Sequence, residues 1–321
     1  MKGKIVILGA GESGLGTAFL ACKKGLNVFI SDNDSISNKT KKKLNLMGVS
    51  WEERKHSYSK MKDADWIIKS PGIDNKSKVI SQLREMDVPI ISEIEFASKF
   101  TNSKIIAITG SNGKTTTALL THHLLSQGGL RVGIAGNIGN SFAKEIAENN
   151  YDYYVLEISS FQLDDINDFS PNIGVITNVV PDHLDRYEND FKKYLESKLK
   201  ITKNQTKDDL LIFNSDDQNL TEKILSLKSK VKLHSYGKKN DWLNNTYHHN
   251  ENIIIKTKKR KTMINTVEFS LSGQHNLLNA MAAVTIANLF EISKDKIRES
   301  LINFKGAPHR LEKVLKIQNV N

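Results

Sequence analysis

The sequence predicts an α/β fold. Strand-like apolar runs alternate with helical patterns along most of the chain, which is the order that produces parallel sheets covered by helices. Two of these strands run directly into glycine-bearing loops, at residues 9–14 and 110–116, and a helical pattern follows each loop. Such an arrangement presents backbone N–H groups to phosphate. We therefore expect an N-terminal Rossmann-like doubly wound sheet and a central α/β domain of the P-loop ATPase type.

Length and composition exclude several classes of protein. At 321 residues and 36.1 kDa the chain has room for two domains and a fragment of a third. Hydrophobic residues make up 39% and charged residues 26%, a globular composition that rules out intrinsic disorder. No apolar run approaches the roughly 18 residues of a membrane span. The single cysteine, Cys22, cannot form an intrachain disulfide or a thiolate metal site. We expect a soluble, cytoplasmic protein.

The net charge of +10 does not by itself indicate a nucleic-acid-binding protein. Only seven of the 46 basic residues are arginine, and the lysines are spread along the chain, whereas base-reading proteins use arginine forks and clustered basic stripes. The densest basic run, residues 256–261, lies between two β-like stretches at 252–255 and 263–269, so we expect an exposed hairpin tip there. Diffuse positive charge still favours a small polyanionic substrate.

The first domain is expected to span residues 1–95. Its opening strand, Lys4 to Leu8, leads into Gly9-Ala-Gly-Glu-Ser-Gly14, a helical pattern and a second strand from Asn27 to Ile30. Asp32 follows this second strand, where the acidic residue of dinucleotide-binding folds contacts a ribose. Two further strand-like runs complete the domain, at residues 66–69 and 89–92.

A second α/β domain is expected over residues 96–304. It begins with the strand Lys104 to Thr109 and the loop Gly110-Ser-Asn-Gly-Lys-Thr-Thr116. Further strands are predicted at residues 153–158, 174–178 and 210–214, and helices at residues 141–148, 190–204, 276–289 and 293–303. An apolar run at 314–317 looks like a strand just begun, so we assign residues 305–321 to a hinge and the truncated start of a third domain.

The loop at residues 110–116 is the most informative motif. Its N–H groups can surround phosphate oxygens, Lys114 can reach the β- and γ-phosphates, and Thr115 can bind Mg²⁺. The strict P-loop pattern fails, because Ile108 stands where the first glycine would be and Gly110 supplies the turn instead. A plain strand-to-helix turn that contains a lysine is the alternative. The Gly-Lys-Thr-Thr sequence after a clean strand favours ATP as the ligand.

The loop at residues 9–14 leaves rival functions open. Its G-x-G-x-x-G spacing, with Asp32 after the next strand, also suits an NAD(P)-dependent oxidoreductase. A non-catalytic nucleotide-binding protein is a third possibility. The second phosphate loop argues against the oxidoreductase, which would not need it, whereas an enzyme that combines a nucleotide-activated substrate with ATP chemistry needs both loops.

Polar clusters follow two later strands. Glu157 opens Glu157-Ile-Ser-Ser-Phe-Gln-Leu163, and His183 lies in Pro181-Asp-His-Leu-Asp-Arg-Tyr187. Alone, either residue would more often be a surface or capping group. Ligands of parallel α/β sheets bind at the carboxyl ends of the strands, so we expect both clusters beside the phosphate loop.

Four segments together resemble the Mur ligases, and the resemblance extends from the first strand to Arg310. They are Thr109-Gly-Ser-Asn-Gly-Lys-Thr115, Leu156-Glu-Ile-Ser-Ser-Phe-Gln-Leu163, Asp182-His-Leu-Asp-Arg-Tyr187 and Ser272-Gly-Gln-His-Asn276. Gly136-Asn-Ile-Gly139 also matches, and Ser-Ser-Phe-Gln-Leu is similar to the branch of the family that adds D-glutamate. The resemblance implies an ATP-dependent ligase of peptidoglycan precursor synthesis, which joins D-glutamate to UDP-N-acetylmuramoyl-L-alanine through an acyl phosphate.

The resemblance also implies roles for individual residues. Lys114 and Mg²⁺ would neutralise charge as the γ-phosphoryl group moves, with Thr115 on one of two ions. Glu157, His183 and Lys198 would organise the second ion, Lys198 as a carbamate formed with CO₂, since a carbamate turns a cation into an oxygen ligand. The implied ATP-binding residues are Gly110, Ser111, Asn112, Gly113, Lys114, Thr115, Thr116, Asn276 and Arg310. The implied UDP-sugar-binding residues are Ser13, Asp32, Asn33, Gly72, Asn137 and His183.

Some of these positions carry open alternatives. Asn276 and Asn279 lie on one helix face, where Asn276 could contact adenine or cap the helix. Glu12 places a negative charge in the loop expected to face pyrophosphate, and Asp34 stands where a basic residue would be more natural. Both departures bear on the uridine contacts rather than on the ATP site.

Mur ligases have a third domain that binds the incoming amino acid and closes over ATP. Because this chain stops at Asn321, we expect it to bind ATP and the UDP-sugar but to ligate poorly. Its expected partners are the small substrates alone, without nucleic acid or membrane insertion, and the expected state is a monomer.

Overall fold

The computed structural model describes residues 3–257 and 261–306, and the first of its two sheets is built from the N-terminal part of the chain. The strands of this sheet are β1 (Lys4–Leu8), β2 (Asn27–Ser31), β3 (Ser50–Glu52), β4 (Trp66–Lys69) and β5 (Ile90–Ser92). They are parallel and lie in the order β3-β2-β1-β4-β5. The strand order reverses beside β1, which is the signature of a doubly wound sheet.

The second sheet contains nine strands of the described residues. They are β6 (Lys104–Thr109), β7 (Val132–Gly136), β8 (Tyr153–Glu157), β9 (Ile173–Ile176), β10 (Leu210–Asn214), β11 (Lys232–Gly237), β12 (Thr246–His249), β13 (Asn252–Lys256) and β14 (Lys261–Asn265). Their order is β14-β13-β12-β11-β10-β9-β6-β8-β7. Neighbours are parallel from β7 to β12, and β13 and β14 join as an antiparallel hairpin. The predicted α/β class is confirmed.

The helices cover the faces of both sheets. They are α1 (Glu12–Lys23), α2 (Asn38–Leu46), α3 (Lys78–Glu85), α4 (Glu93–Ser98), α5 (Lys114–Gln127), α6 (Phe142–Glu148), α7 (Ser160–Asp164), α8 (Phe191–Leu199), α9 (Gln218–Leu225), α10 (Gln274–Leu289) and α11 (Lys294–Asn303). Within residues 3–257 and 261–306, none is long and apolar enough to cross a membrane.

The helices differ in how they begin, and α3 starts at Ser77 without a side-chain cap. Seven start at a serine or aspartate whose side chain accepts a backbone N–H: Ser37, Ser92, Ser141, Ser159, Asp190, Asp217 and Ser293. In contrast, α1, α5 and α10 start at Gly11, Gly113 and Gly273 without a side-chain cap. Their first N–H groups therefore remain available to a ligand.

Most sequence-predicted elements are present, and the missed strands have a physical explanation. The missed strands are β3, β7, β11 and β12. Short β3, the glycine-containing β7 and the polar β11 and β12 lack the apolar alternation on which strand prediction depends. In β7 a Cβ at Gly133 would lie 2.5 Å from Cδ2 of Tyr151, so the small residue is required by packing rather than by a turn. The predicted hairpin is confirmed, although its tip at 258–260, like Arg310 and the run at 314–317, lies outside the described residues.

Two buried carboxylates of α4 tie the sheets together. Oε2 of Glu95 accepts hydrogen bonds from three successive backbone N–H groups, those of residues 167–169, at 3.0, 3.0 and 2.8 Å. Oε1 of Glu93 accepts hydrogen bonds from Oγ of Ser141 and from the N–H of Ala143, and burial raises the pKa of Glu93. Domain boundaries at residues 95 and 304 stay predictions.

Helix α1 of the first sheet packs closely against α6 of the second, and Gly16 makes this approach possible. A Cβ at Gly16 would lie 1.8 Å from Oγ of Ser141 and 2.5 Å from its Cβ. We expect Gly16→Ala to lower the free energy of unfolding by about 1–3 kcal/mol through overpacking, although alanine favours a helix by up to about 1 kcal/mol. Urea denaturation measures the loss.

The matched control is Gly11→Ala, where φ is −75° and no atom lies within 4 Å of the added Cβ. A loss for Gly16→Ala no larger than that for Gly11→Ala would contradict the close approach of α1 and α6.

Candidate active site

The phosphate loop, residues 110–116, packs closely against neighbouring elements at Gly110 and at Gly113. Gly110 and Gly113 have φ of +145° and +82°, which favour glycine. A Cβ at Gly110 would lie 2.0 Å from Oγ1 of Thr177, and one at Gly113 would lie 2.3 Å from Oδ1 of Asn279. The backbone between β6 and α5 therefore touches the end of β9 on one side and α10 on the other.

Side chains fix the middle of this loop. Oγ of Ser111 donates to the carbonyl of Val180 at 3.0 Å and lies 3.0 Å from the hydroxyl of Tyr194. Oδ1 of Asn178 accepts the N–H of Asn112 at 3.0 Å, and Nδ2 of Asn178 donates back to the carbonyl of Asn112 at 3.0 Å. Because these partners hold the loop in place, its remaining N–H groups are preorganised for an anion.

Lys114 lies over the loop that precedes it. Its Nζ donates to the carbonyls of Gly110 and Ser111, both at 2.8 Å, and the side chain is half-buried. A flexible stem lets the ammonium group exchange a loop carbonyl for a phosphate oxygen. The lysine is thus placed at the uncapped start of α5, where phosphate charge is favoured.

Glu157 stands at the carboxyl end of β8, with its side chain buried among donors. Oε2 accepts the hydroxyl of Thr115 at 2.8 Å, and Oε1 accepts Nδ2 of Asn137 at 2.9 Å. The backbone holds the same contact, since the N–H of Asn137 donates to the carbonyl of Glu157 at 2.8 Å. Gly136 allows this approach, because a Cβ there would lie 2.2 Å from that carbonyl oxygen.

The donor set fits Mg²⁺ at one position. Thr115 and Glu157 bring a hydroxyl and a carboxylate oxygen within 2.8 Å of each other beside the phosphate loop, and both are hard oxygen ligands. Among residues 3–257 and 261–306, no group of three or more His, Cys, Asp or Glu could hold a metal on its own. Mg²⁺ usually retains waters and phosphate oxygens, so two protein oxygens suffice for a nucleotide-bound ion.

His183 occupies a separate part of the same sheet edge. It adopts a left-handed backbone conformation with φ of +50° and leaves 55% of its side chain exposed. Its Nε2 lies 3.5 Å from Oδ2 of Asp182, and its ring centroid lies 5.3 Å from that of Phe161. The contacts described for its ring are therefore with Asp182 and Phe161.

Lys198 is buried on α8 with only 2% of its surface exposed. Its Nζ lies 5.1 Å from the ring centroid of Tyr194, one turn earlier on the helix. Burial, assisted by the charge of Lys114, lowers the pKa of Lys198 to about 7, and the carboxylates of Asp182 and Glu157 oppose this shift. A large fraction of Lys198 is therefore a neutral amine near pH 7.

A cavity of about 570 Å³ lies between the phosphate loop and the start of α10. Asn276 and Asn279 both line it. Asn276 donates through Nδ2 to the carbonyl of Ser272 at 2.8 Å, whereas Oδ1 of Asn279 lies 3.3 Å from Oγ1 of Thr117. The other lining residues include Asn214, Leu271, His275, Leu278 and Gly306, which sequence reasoning missed because strand ends and helix turns meet there only in the fold.

Four of the six residues assigned to the UDP-sugar, Ser13, Asp32, Asn33 and Gly72, lie at the carboxyl edge of the first sheet, whereas Asn137 and His183 follow strands of the second. Asp32 holds its own loop, since Oδ2 accepts the N–H of Ala10 at 2.7 Å and Oδ1 accepts the N–H of Asp34 at 2.9 Å. Asn33 and Gly72 are exposed, and the Ser13 side chain hydrogen-bonds to Glu93. Glu12 and Asp34 are also exposed, so neither buries its charge against this loop.

Sequence reasoning also missed Tyr194 and the paired residues Thr177 and Asn178. Tyr194 precedes Lys198 by four residues on α8, a helical spacing that could have signalled their contact. No local signal marks Thr177 or Asn178, because their partners are more than sixty residues away in the chain.

The chain matches two protein-family models. Residues 4–79 match the MurD N-terminal domain, and residues 108–287 match the Mur ligase middle domain. The UDP-N-acetylmuramoylalanine–D-glutamate ligase of Christiangramia forsetii is 49% identical over 322 residues, covering 100% of this chain and 72% of that protein. The ligase of the same name from Bacteroides fragilis is 44% identical over 318 residues, covering 99% of this chain and 71% of that protein.

Solved structures share the fold. UDP-N-acetylmuramate:L-alanyl-gamma-D-glutamyl-meso-diaminopimelate ligase from Neisseria meningitides matches with a TM-score of 0.64 at 17% identity, over 96% of this chain and 99% of that one. UDP-N-acetylmuramate-alanine ligase from Thermotoga maritima matches with a TM-score of 0.57 at 23% identity, over 98% of this chain and 72% of that one. At these identities the likeness concerns architecture alone.

The position of Lys114 makes a prediction about nucleotide binding. We expect Lys114→Ala to raise the Kd for Mg²⁺·ATP at least about tenfold, because a charge-assisted contact to phosphate is lost. Isothermal titration calorimetry measures the Kd. The control is Lys104→Ala, an exposed lysine at the opposite end of β6. Equal ATP affinity in Lys114→Ala and Lys104→Ala would contradict a phosphate-binding role for this loop.

Proposed function

Because this chain belongs to the Mur ligase family, we propose that it is an ATP-dependent ligase that joins D-glutamate to UDP-N-acetylmuramoyl-L-alanine in peptidoglycan precursor synthesis. The observation that carries the proposal is the meeting of three groups at one sheet edge: a lysine-bearing phosphate loop, the Thr115 and Glu157 oxygens, and a buried lysine with a lowered pKa. Two relatives that are 49% and 44% identical to this chain, over 100% and 99% of its length, are named as ligases of this reaction.

The reaction has two steps that balance. An oxygen of the alanyl carboxylate attacks the γ-phosphorus of ATP, the bond to the β-phosphate oxygen breaks, and ADP leaves. The amine of D-glutamate then attacks the acyl-phosphate carbon through a tetrahedral intermediate, loses a proton, and inorganic phosphate departs as the amide forms. The first step brings one anion against another, so the protein must neutralise charge.

Lys114 and the phosphate loop supply that neutralisation from the protein side. The ammonium lies beside the uncapped N-terminus of α5, so fixed N–H dipoles and one mobile positive charge face the same anion. Because Ser111 and Asn112 already hold the loop in place, little reorganisation is needed when the γ-phosphoryl group moves.

Two Mg²⁺ positions are inferred. Thr115 would hold one ion together with Glu157, and Glu157, His183 and a carbamate on Lys198 would organise the second. Mg²⁺ supplies a Lewis acid that withdraws charge from the phosphate oxygens. The short Thr115 to Glu157 contact supports the first position. The second is supported by the burial of Lys198 and by its electrostatic interaction with both Lys114 and Glu157.

The carbamate follows from the chemistry of a neutral amine. The lone pair of Nζ on Lys198 would attack the carbon of CO₂, so that an N–C bond forms while one C=O π bond breaks and its electron pair moves onto oxygen. The nitrogen would then lose a proton to solvent. The product is an anion that presents oxygen instead of ammonium, which suits a hard cation. The same burial that disfavours the ammonium of Lys198 makes the nucleophilic amine available at neutral pH.

The two nucleotides are assigned to different sheets. The adenine of ATP would occupy the cavity of about 570 Å³ beside Asn276, and the UDP-sugar would bind to Ser13, Asp32, Asn33 and Gly72. Asn137 and His183 would approach the sugar and alanyl end. A monomeric state, a cytoplasmic location and a role for Arg310, which lies outside the described residues, stay predictions from sequence.

Carbamate formation can be measured directly. With ¹³C-bicarbonate we expect a carbamate signal in the ¹³C NMR spectrum that grows from about pH 6 to about pH 8, because a lysine with a pKa of about 7 loses its proton over this range. Lys198→Ala should abolish the signal. The control is Lys200→Ala, whose Nζ contacts Asp164 at 2.7 Å, and which should keep it. A signal that survives in Lys198→Ala would contradict the assignment.

A titration with three ligands tests the proposed function. We expect the wild-type chain to bind UDP-N-acetylmuramoyl-L-alanine and, in the presence of Mg²⁺, ATP, with ATP binding weakened in Lys114→Ala. Tight NADH binding without either ligand would instead favour an oxidoreductase. ATP binding without affinity for the UDP-sugar would favour a non-catalytic nucleotide-binding protein. Calorimetry with each ligand separates these outcomes.

A further inference from the structure

One backbone carbonyl of the first sheet is bound by two cationic side chains. It belongs to Ile73, in the loop of residues 70–74 that follows β4. The carbonyl accepts Nζ of Lys69 at 2.9 Å and Nη2 of Arg186 at 3.1 Å. Gly72, which directly precedes it, is one of the residues assigned to the UDP-sugar. The conformation of this loop therefore depends on where the two cations are held.

Lys69 is held by the second part of the chain. Its side chain is 1% exposed, and its Nζ lies 2.9 Å from Oδ2 of Asp165 at the end of α7. The backbone carbonyl of Asp165 also accepts the N–H of Ser92 at 2.8 Å. A buried ion pair of this kind is costly to break, because removal of one partner leaves the other charge without compensation.

Arg186 arrives from the other side, three residues after His183. Its Nε lies 3.2 Å from Oδ2 of Asp74, and its Cζ lies 4.4 Å from the ring centroid of Phe161. The side chain is only 19% exposed. One planar guanidinium thus contacts the loop at Ile73 and Asp74 while it stacks on a ring of α7, a geometry that lysine does not reproduce.

Phe161 connects this arrangement to the reactive end of the site. Its ring contacts the guanidinium of Arg186 and lies 5.3 Å from the ring of His183. The loop that carries Gly72 and the histidine assigned to the sugar and alanyl end are therefore positioned through the same aromatic side chain. Neither the phosphate loop nor the cavity beside Asn276 shares these contacts.

We propose that Arg186 is a positioning residue for the UDP-sugar. Its guanidinium, which stacks on Phe161, holds the loop at the Ile73 carbonyl and at Asp74. The same carbonyl is held from the buried side by Lys69, which is paired with Asp165. The inference rests on the proposed function, since it names the UDP-sugar as the ligand of this loop. A residue that only joined the two sheets would affect both nucleotides or folding; a positioning residue affects the UDP-sugar selectively.

The experiment compares two ligands in the full chain. For Arg186→Ala we expect the Kd for UDP-N-acetylmuramoyl-L-alanine to rise about tenfold or more and the Kd for Mg²⁺·ATP to change less than about threefold. Arg186→Lys keeps a cation but loses the planar fork, so it should restore only part of the affinity. Calorimetry gives both constants, and the melting temperature reports folding.

The matched control is Arg298→Ala, which removes an arginine from an exposed ion pair with Glu268 at 2.6 Å. It should leave both Kd values unchanged. Asp74→Asn provides a second test that keeps Arg186 and weakens its ion pair. We expect a rise of about threefold or more in the UDP-sugar Kd, and less than an additive effect when it is combined with Arg186→Ala.

Three results would overturn the inference. The first is a UDP-sugar Kd that stays within about threefold of wild type in both Arg186→Ala and Asp74→Asn. The second is an equal rise for the UDP-sugar and for ATP, which would indicate a general structural tie. The third is a wild-type chain without affinity for the UDP-sugar, which would contradict the proposed function itself and is therefore distinguishable from failure of the variants alone.

Discussion

The phosphate loop has no room for a side chain at either glycine, and the arrangement of the site follows from that constraint. Gly110 is closed off by Thr177 at the end of β9, and Gly113 by Asn279 on α10. Because the loop must fit between these two elements, its N–H groups have one arrangement and need not reorganise around an anion. Helix α10, which contacts the loop at Gly113, also supplies Asn276 to the neighbouring cavity, so one helix connects the loop with that cavity.

Burial then decides the charge of Lys198 beside the loop. The carboxylate of Glu157 is compensated by a hydroxyl and an amide, from Thr115 and Asn137. Lys198 has no comparable contact among its described hydrogen bonds, and its neighbour Lys114 adds a like charge. Desolvation therefore shifts the buried lysine toward the amine while Glu157 stays surrounded by donors.

The two sheets are joined by polar side chains that also touch the ligand-facing loops. On one side, Glu93 receives donors from Ser13 and Ser141, and Glu95 receives three N–H groups of residues 167–169. On the other side, Lys69 and Arg186 share the Ile73 carbonyl. Each buried group needs its partner in the opposite sheet, since an unpaired polar group in such a place is costly. The loops at the carboxyl edge of the first sheet are consequently held partly by the second.

The sequence by itself determined the α/β class and the two glycine loops, because these depend on local order: a strand, a turn with glycine, and a helix start. The motifs around Glu157 and His183 could be placed at one sheet edge for the same reason. The tertiary structure decided what surrounds those residues. Lys198 looks like any other helical lysine in the sequence, and only the packing of α8 removes it from water. The contacts of Thr177, Asn279 and Arg186 likewise join positions far apart in the chain, and no local pattern encodes a distance that only the folded backbone creates.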